Sequence, residues 1–341
     1  MMLEVALSLT AGGLIYDRHL AAVHLRRTRL PALDRLIAVL PHGVKIDAAP
    51  GDDVILTLDG GDSDATVFTG RLLSLSRSAE GVRLVAGNGG VRLAAFRPNL
   101  ALRSLAAGDA IRQLADEVGV DVEVEDDGPD LAMLALDGGM TAAQRISDLA
   151  MLSGQACAFD GQGKLLVNAA GGVNDRVALK YGREILSLEM TQADGSGPAL
   201  SVVGEGAASP SSPKGRLIAG DFDKGAAGSP GADNRRIALP DIRSADAARI
   251  ASGALSLARD QRLQRVSMTT FLLPQLAPGM EIELAEAPDH LPLKGLRVTQ
   301  VIHSVRAGQG AVTQVLGTGQ TALDPLAQLG GLIGELAGAL L

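Results

Sequence analysis

Two widely separated stretches of this chain carry the same punctuation, and that echo constrains the fold more than any other feature. In the first, Pro50-Gly51 introduces an alternating strand, Gly70-Arg71 sits in a long strand, Gly81 turns the chain, and a last strand ends at Gly87-Asn88-Gly89. In the second, Pro278-Gly279 introduces a strand, Gly295-Leu296-Arg297 opens a long one, Gly310 turns, and the last strand ends at Gly317-Thr318-Gly319. One β-unit used twice accounts for both. An ordinary antiparallel meander also carries Pro-Gly turns and Gly-bounded strands, so the residues alone leave that alternative open.

Other segments follow the two elementary periods. Leu3, Val5, Leu7 and Leu9 alternate with small or polar residues, as a half-buried strand requires. Val54, Leu56 and Leu58 alternate up to the turn Asp59-Gly60-Gly61, and the return strand Thr66–Ser76 is interrupted at Gly70, read as a bulge. The middle of the chain switches to helical spacing. Asp109 is the expected N-cap of a helix with Ile111, Leu114, Ala115 and Val118 on one face. Val120, Val122 and Val124 then alternate as a strand. Thr141 and Gln144 form a capping-box pattern ahead of Ile146, Leu149 and Ala150. A hairpin is expected from Ala156–Phe159 and Lys164–Val167, which completes a small α/β module. From Gly204 to Asn234, Gly, Ala, Ser and Pro dominate, the composition of a long loop without a core. Ser244 caps a third helix with Ala248, Ala251, Leu255 and Ala258 inward. The closing strands are Val266–Leu273, Met280–Leu284, Leu296–Val305 and Val312–Leu316.

Composition removes several classes of function. A net charge of −8 and an aromatic content of 2% suit neither a basic nucleic-acid face nor a base-stacking platform, so no sequence-specific nucleic acid is expected. The single cysteine, Cys157, excludes an internal disulfide framework and fits a reducing compartment. Met1-Met2-Leu3-Glu4 lacks a basic leader region, and no apolar run is long enough to span a membrane, so no membrane anchor and synthesis in the bacterial cytoplasm are expected.

The usual signatures of chemistry are missing. His19, His24, His42, His290 and His303 have no metal-binding spacing, and no nucleophile elbow or phosphate loop occurs. Gly204-Glu205-Gly206 begins like a dinucleotide fingerprint, but Ser209 replaces the final glycine. Cys157 lies in an apolar strand and reads as a buried structural thiol. Asp121, Glu123, Glu125, Asp126 and Asp127 begin like a calcium loop, yet the closing glutamate is missing, and a solvated strand edge fits better. No catalytic residue, cofactor-binding residue, metal site or cofactor is expected. A carboxylate pair for glycoside hydrolysis is defined in space, so a tail-associated peptidoglycan hydrolase remains the alternative reading.

The order of these pieces resembles the phage late control gene D proteins and the baseplate hub proteins of contractile tails. It is also similar to the N-terminal hub part of the type VI secretion spike protein. The matching features are Pro50-Gly51-Asp52, Val67-Phe68-Thr69-Gly70-Arg71, the helix and strand from Asp109 to Glu125, the Thr141–Gly154 helix with its hairpin, the Ala-rich helix from Ser244, and Ala277-Pro278-Gly279-Met280-Glu281-Ile282-Glu283-Leu284. They cover residues 1–320. The resemblance implies a mixed β and α/β fold with two tube-like antiparallel β-barrel domains, 1–97 and 176–320, around an α/β module at 98–175, followed by an apolar helical segment at 321–341. It implies a homotrimer that joins a sixfold tail tube protein to a threefold central spike protein, among other baseplate proteins, in a virion tail or injection particle. The chain ends without a β-helical needle, so a separate spike is expected. Leu326, Leu329, Ile333, Leu336 and Leu340 are spaced as an a/d seam and are the expected partner-docking residues. Folding back on the chain's own domain, a trimer seam and a plug for the spike all fit that seam.

Overall fold

The computed structural model describes residues 6–60, 64–79, 81–193, 199–205, 217–219, 234–261, 263–286, 288, 291 and 293–321. The elements begin with β1 (Ala6–Ala11), β2 (Leu14–Tyr16), β3 (Ala22–Thr28), β4 (Arg35–Leu40), β5 (Asp53–Asp59), β6 (Asp64–Ser78) and β7 (Gly81–Gly87). Next come α1 (Gly90–Ala95), β8 (Asn99–Ala106), α2 (Ala107–Asp116), β9 (Val122–Val124), β10 (Asp130–Asp137), α3 (Ala142–Leu152), β11 (Ala156–Phe159) and β12 (Leu165–Asn168). They continue with β13 (Arg176–Lys180), β14 (Ile185–Gln192), β15 (Ala199–Glu205), β16 (Leu217–Ala219), β17 (Asn234–Leu239) and α4 (Ala245–Gln261). The last four are β18 (Gln264–Phe271), β19 (Glu281–Ala285), β20 (Leu293–Arg306) and β21 (Gly310–Thr321). Most strand pairs are antiparallel, and with four helices among the described residues the fold is mixed β and α/β.

The echo in the sequence is an echo in topology. The strands of the first unit lie in the order β1-β5-β6-β7-β4-β3, and those of the second in the order β13-β19-β20-β21-β18-β14. Position by position in chain order, these are the same arrangement. One difference is that β1 pairs antiparallel with β5 while β13 pairs parallel with β19.

The match extends to single hydrogen bonds. Ala49-Pro50-Gly51-Asp52 and Ala277-Pro278-Gly279-Met280 each close a turn, with Asp52 N–H donating to Ala49 O at 3.1 Å and Met280 N–H to Ala277 O at 3.3 Å. Proline presets the first central φ and glycine supplies the positive second one, +102° at Gly51 and +97° at Gly279. Gly51 N–H then donates to Leu72 O at 2.8 Å, and Gly279 N–H to Val298 O at 2.9 Å. Across the next rung Arg71 faces Asp53 at 3.6 Å and Arg297 faces Glu281 at 3.4 Å. In both units the register slips right after the matched pair, leaving Leu73 and Thr299 as bulge residues. Gly70 is therefore not the bulge. A Cβ there would lie 2.4 Å from Gly87 O, so glycine is demanded by the close approach of β6 to β7.

The two units share one thirteen-stranded sheet, because β3 pairs antiparallel with β20 from Thr28↔Gln300 to Ala22↔Arg306. The path of described strands is open, ending at β14 and β2. Each unit has its own core, one around Leu25, Leu36, Leu56 and Phe68, the other around Met268, Ile282, Leu296 and Val315.

A third core lies in the α/β layer, where Ala107, Ala110, Ala142 and Ala150 let α2 and α3 pack closely around Ile111, Leu114 and Ile146. The Thr141 capping box is present, with Gln144 N–H donating to Thr141 Oγ1 at 3.3 Å and Thr141 N–H to Gln144 Oε1 at 3.0 Å. Helix α2 starts earlier than expected, after Ala106, so Asp109 is a first-turn residue paired with Arg112 rather than the N-cap. Val202, Ile242, Ala247 and Ala251 join this same core. Within 204–234, which reads as an unbroken loop, Leu217–Ala219 form β16 against β15, and β17 flanks β15 on its other side.

Candidate functional site at the seam of the two units

The seam between β3 and β20 is where a charged cluster converges. Period-2 alternation puts Val23, Leu25 and Arg27 of β3 and Val301, His303 and Val305 of β20 on one buried face. His24, Arg26 and Arg306 project from the opposite, exposed face, where His24 Nδ1 lies 3.0 Å from Ser304 Oγ. Burial, followed by the charges of Arg26 and Arg306, holds His24 below its usual range.

Arg27 is only 3% exposed, and its Nη2 donates to Phe159 O at 3.2 Å, which ties the first unit to the α/β layer. Near it, Asp34 accepts from Thr28 N–H at 2.7 Å and from Asn88 Nδ2 at 2.8 Å, while Asn88 Oδ1 accepts from Gly90 N–H at 3.0 Å at the start of α1. Burial pushes the Asp34 carboxyl up to about 6, against the pull of the Arg27 cation and of its two donors. Burial and then the Arg27 charge push His303 down to about 3, so its ring is neutral. Its Nδ1 lies 3.0 Å from Thr313 Oγ1, which accepts from Leu273 N–H at 3.0 Å.

Arg29 links all three bodies. Its Nη2 donates to Ala170 O at 2.6 Å and to Val298 O at 3.3 Å, and its Nε donates to Gly171 O at 3.2 Å. Burial, and then neighbouring Arg297, lower it to about 10, which leaves it cationic. Hydrogen bonds from a charged donor contribute about 1.5–3 kcal/mol each, so this side chain fixes the first unit, the 170–171 loop and the β20 bulge as one joint. A neutral buried histidine and two arginines that each donate to backbone carbonyls suit a rigid joint rather than a proton-transfer centre.

The expected docking residues Leu326, Leu329, Ile333, Leu336 and Leu340 lie outside the described residues. Cys157 is buried, with Sγ 4.0 Å from Ile146 O, and burial pushes its thiol up to about 12. In the acidic stretch Glu123 pairs with Lys164 at 2.6 Å and Asp127 with Arg112 at 2.7 Å, while Asp126 accepts from Gly128 N–H at 2.9 Å. Among the described residues no group of three or more His, Cys, Asp or Glu side chains is placed to hold a metal, and no helix is long and apolar enough to cross a membrane. Sequence reasoning missed Arg27, Arg29, Asp34, Asn88 and His303. Part of the signal was there: Val23-x-Leu25-x-Arg27 and Val301-x-His303-x-Val305 each put a polar residue at an inward position of an alternating strand.

No family model matches the sequence, and no curated protein does. Solved structures do match the fold. The 43 kDa tail protein of prophage MuSo2 from Shewanella oneidensis aligns with a TM-score of 0.66 at 14% identity, covering 92% of this chain and 98% of its own. The tail protein from Neisseria meningitidis aligns with a TM-score of 0.66 at 14% identity, covering 92% of this chain and 96% of its own. The E. coli c3393 protein, described as a type VI secretion component with structural similarity to phage T4 tail proteins gp27 and gp5, aligns with a TM-score of 0.58 at 12% identity over 92% of this chain and 77% of its own. The chain therefore has the fold of these tail and secretion proteins.

Proposed function

We propose that this protein is a structural, non-catalytic hub of a phage tail baseplate or of a related contractile injection machine. In this reading three copies join a sixfold tail tube to a threefold central spike. The observation that carries it is the doubled β-unit, with matching strand order and matching turn hydrogen bonds within one chain. Two equivalent units per chain give a threefold assembly six equivalent positions, which is what an adaptor between threefold and sixfold partners needs. The likeness in fold to two tail proteins and a type VI secretion component supports the setting.

The finer parts of the reading are a tube-like barrel wall formed by each unit, at 1–97 and 176–320, with the module at 98–175 outside it. The segment 321–341 docks a partner through Leu326, Leu329, Ile333, Leu336 and Leu340. The partners are the tail tube protein, a separate spike and other baseplate proteins, in the assembled virion or particle. Light scattering on the purified chain tests this, followed by electron microscopy of the particle down its axis. The expected result is a trimer with six similar lobes. A stable monomer or dimer at high micromolar concentration overturns it, and clearing of cell-wall suspensions at low stoichiometry points instead to the hydrolase.

A further inference from the structure

The two units match in strand order and at their Pro-Gly turns, yet their strand edges are not equally covered. In the second unit, the far half of β20 from Gln300 to Arg306 is bordered by β21 on one side and by β3 on the other. In the first unit, β5 covers β6 only as far as Arg71, and from Ser74 to Arg77 the described strands supply only β7. The counterpart of β3 in the second unit is β14, which pairs with β18 alone among the described strands. Among the described strands, one chain thus makes one pairing of a β3-type strand with a β20-type strand and leaves both halves of a second such pairing open.

We propose that β14 of one copy pairs antiparallel with the far half of β6 of the next copy, which repeats between chains the seam that β3 and β20 make within one. This rests on the ring reading above for the number of copies, but not for the choice of edges. The register follows from the pairings. Leu72 and Val298 are the matched residues, followed by the bulges Leu73 and Thr299, so Leu75 matches Val301 and Arg77 matches His303. On the other side, Leu36 and Val266 face the matched Ala86 and Gly317, so Leu25 matches Met190 and Arg27 matches Gln192. The internal seam sets Arg27 opposite Val301, Arg26 opposite Ile302 and Leu25 opposite His303. Between copies this places Gln192 opposite Leu75, Thr191 opposite Ser76 and Met190 opposite Arg77.

Burial points to the same occupant. Val23, Leu25 and Val301 in the made seam are 2%, 0% and 0% exposed. Their counterparts Leu188, Met190 and Leu75 are only partly buried, facing inward beside edges that end without a neighbour among the described strands. Edges of this kind are templates for strand addition. Because the two open edges differ and sit on one molecule, the contact is head-to-tail, and head-to-tail contacts generate rings when the rotation closes.

Cysteine pairs at facing positions read the register directly. Facing residues on antiparallel strands have Cβ atoms about 4.5–5.5 Å apart, closer in every second pair. Two adjacent pairs should therefore be made separately, Leu75→Cys with Gln192→Cys and Ser76→Cys with Thr191→Cys. The buried Cys157 stays out of the reaction. On mild oxidation of the purified full chain, at least one double variant should give covalent dimers and trimers, while the single variants remain monomeric on denaturing gels. Leu75→Lys should still fold and melt cooperatively, at a temperature lowered by the loss of the partner, while its mass in solution drops to one chain. A ladder running past three copies supports the edges and overturns the threefold count. A trimer by scattering with neither pair cross-linked, or a Leu75→Lys variant still trimeric, overturns this inference and leaves the hub reading standing. A wild-type chain that stays monomeric at all concentrations overturns both.

Discussion

Gly51 and Gly279 hold matching turns at φ +102° and +97°, but their surroundings differ. A Cβ on Gly51 would meet open space, whereas one on Gly279 would lie 2.6 Å from Gly172 C and 2.7 Å from Val173 N. Gly51→Ala should therefore cost the strain of a left-handed alanine alone, about 1–2 kcal/mol. Gly279→Ala should cost clearly more, since backbone must also move, and thermal melts of the two variants read the difference. Equal losses would mean that the 172–173 loop yields freely. A second pair of residues, Asp34 and His303, pulls stability in opposite directions with pH. Asp34 holds its proton up to about 6 in the folded chain, against an ordinary 3.8, so between those values stability from this group rises as pH falls. His303 titrates at about 3 against an ordinary 6.5, so between those values its contribution is lost as pH falls. Each slope approaches about 1.4 kcal/mol per pH unit inside its window, so from pH 4 to 6 the two oppose each other. Relative to wild type, Asp34→Asn should lose stability on acidification across that range, and His303→Gln should gain it, by urea titration at pH 4, 5 and 6. Parallel curves for wild type and both variants would mean that neither group is displaced as burial implies.

At the scale of elements, what could be read from sequence were the segments whose pattern is local. The Thr141 box, the 156–168 hairpin and the closing strands each carry their own period and their own punctuation, and they form close to where the pattern puts them. Helix α1, β8 and β10 were not legible. Six residues starting at Gly90 are too few to show a helical period. In β10 the buried Leu131, Leu134 and Leu136 are unevenly spaced, and the pairing with β8 keeps one register but is interrupted at Ser104, whose φ is +51°. The charged joint escaped notice for another reason: Arg27, Phe159 and His303 are assembled by pairing across most of the chain, and no local window contains it. The strand β16 was hidden by its length of three residues inside a Gly/Ser/Pro-rich stretch. That strand gives a graded test. Replacing 207–231 by a short Gly-Ser linker removes β16 and uncovers one side of β15, and should lower the melting temperature. Replacing only 220–231 should leave it nearly unchanged. Equal melting temperatures for both replacements would show that β16 contributes nothing.

For the whole molecule, the joint and the open edges imply a division of labour. Arg27 and Arg29 fix the two units and the α/β layer to one another through carbonyls of each, so the chain enters an assembly as one body. Under the proposed strand pairing, ring formation calls only on edges among the described residues. The a/d spacing of Leu326, Leu329, Ile333, Leu336 and Leu340 spans barely two heptads, and an isolated helix of that length is marginal in water. Gly330, Gly331, Gly334 and Gly338 weaken it by about 1 kcal/mol each relative to alanine. Burying five aliphatic side chains at about 1.5–3 kcal/mol each more than offsets that penalty once a partner covers them. Deleting 323–341 should accordingly leave melting temperature and trimer mass as in the full chain while particles lose their spike and their infectivity. A fall in the melting temperature of the isolated chain would place the segment against its own body. A fall in trimer mass at unchanged melting temperature would place it in the seam between copies. Unaltered stability, mass and infectivity together would leave the segment without a docking role.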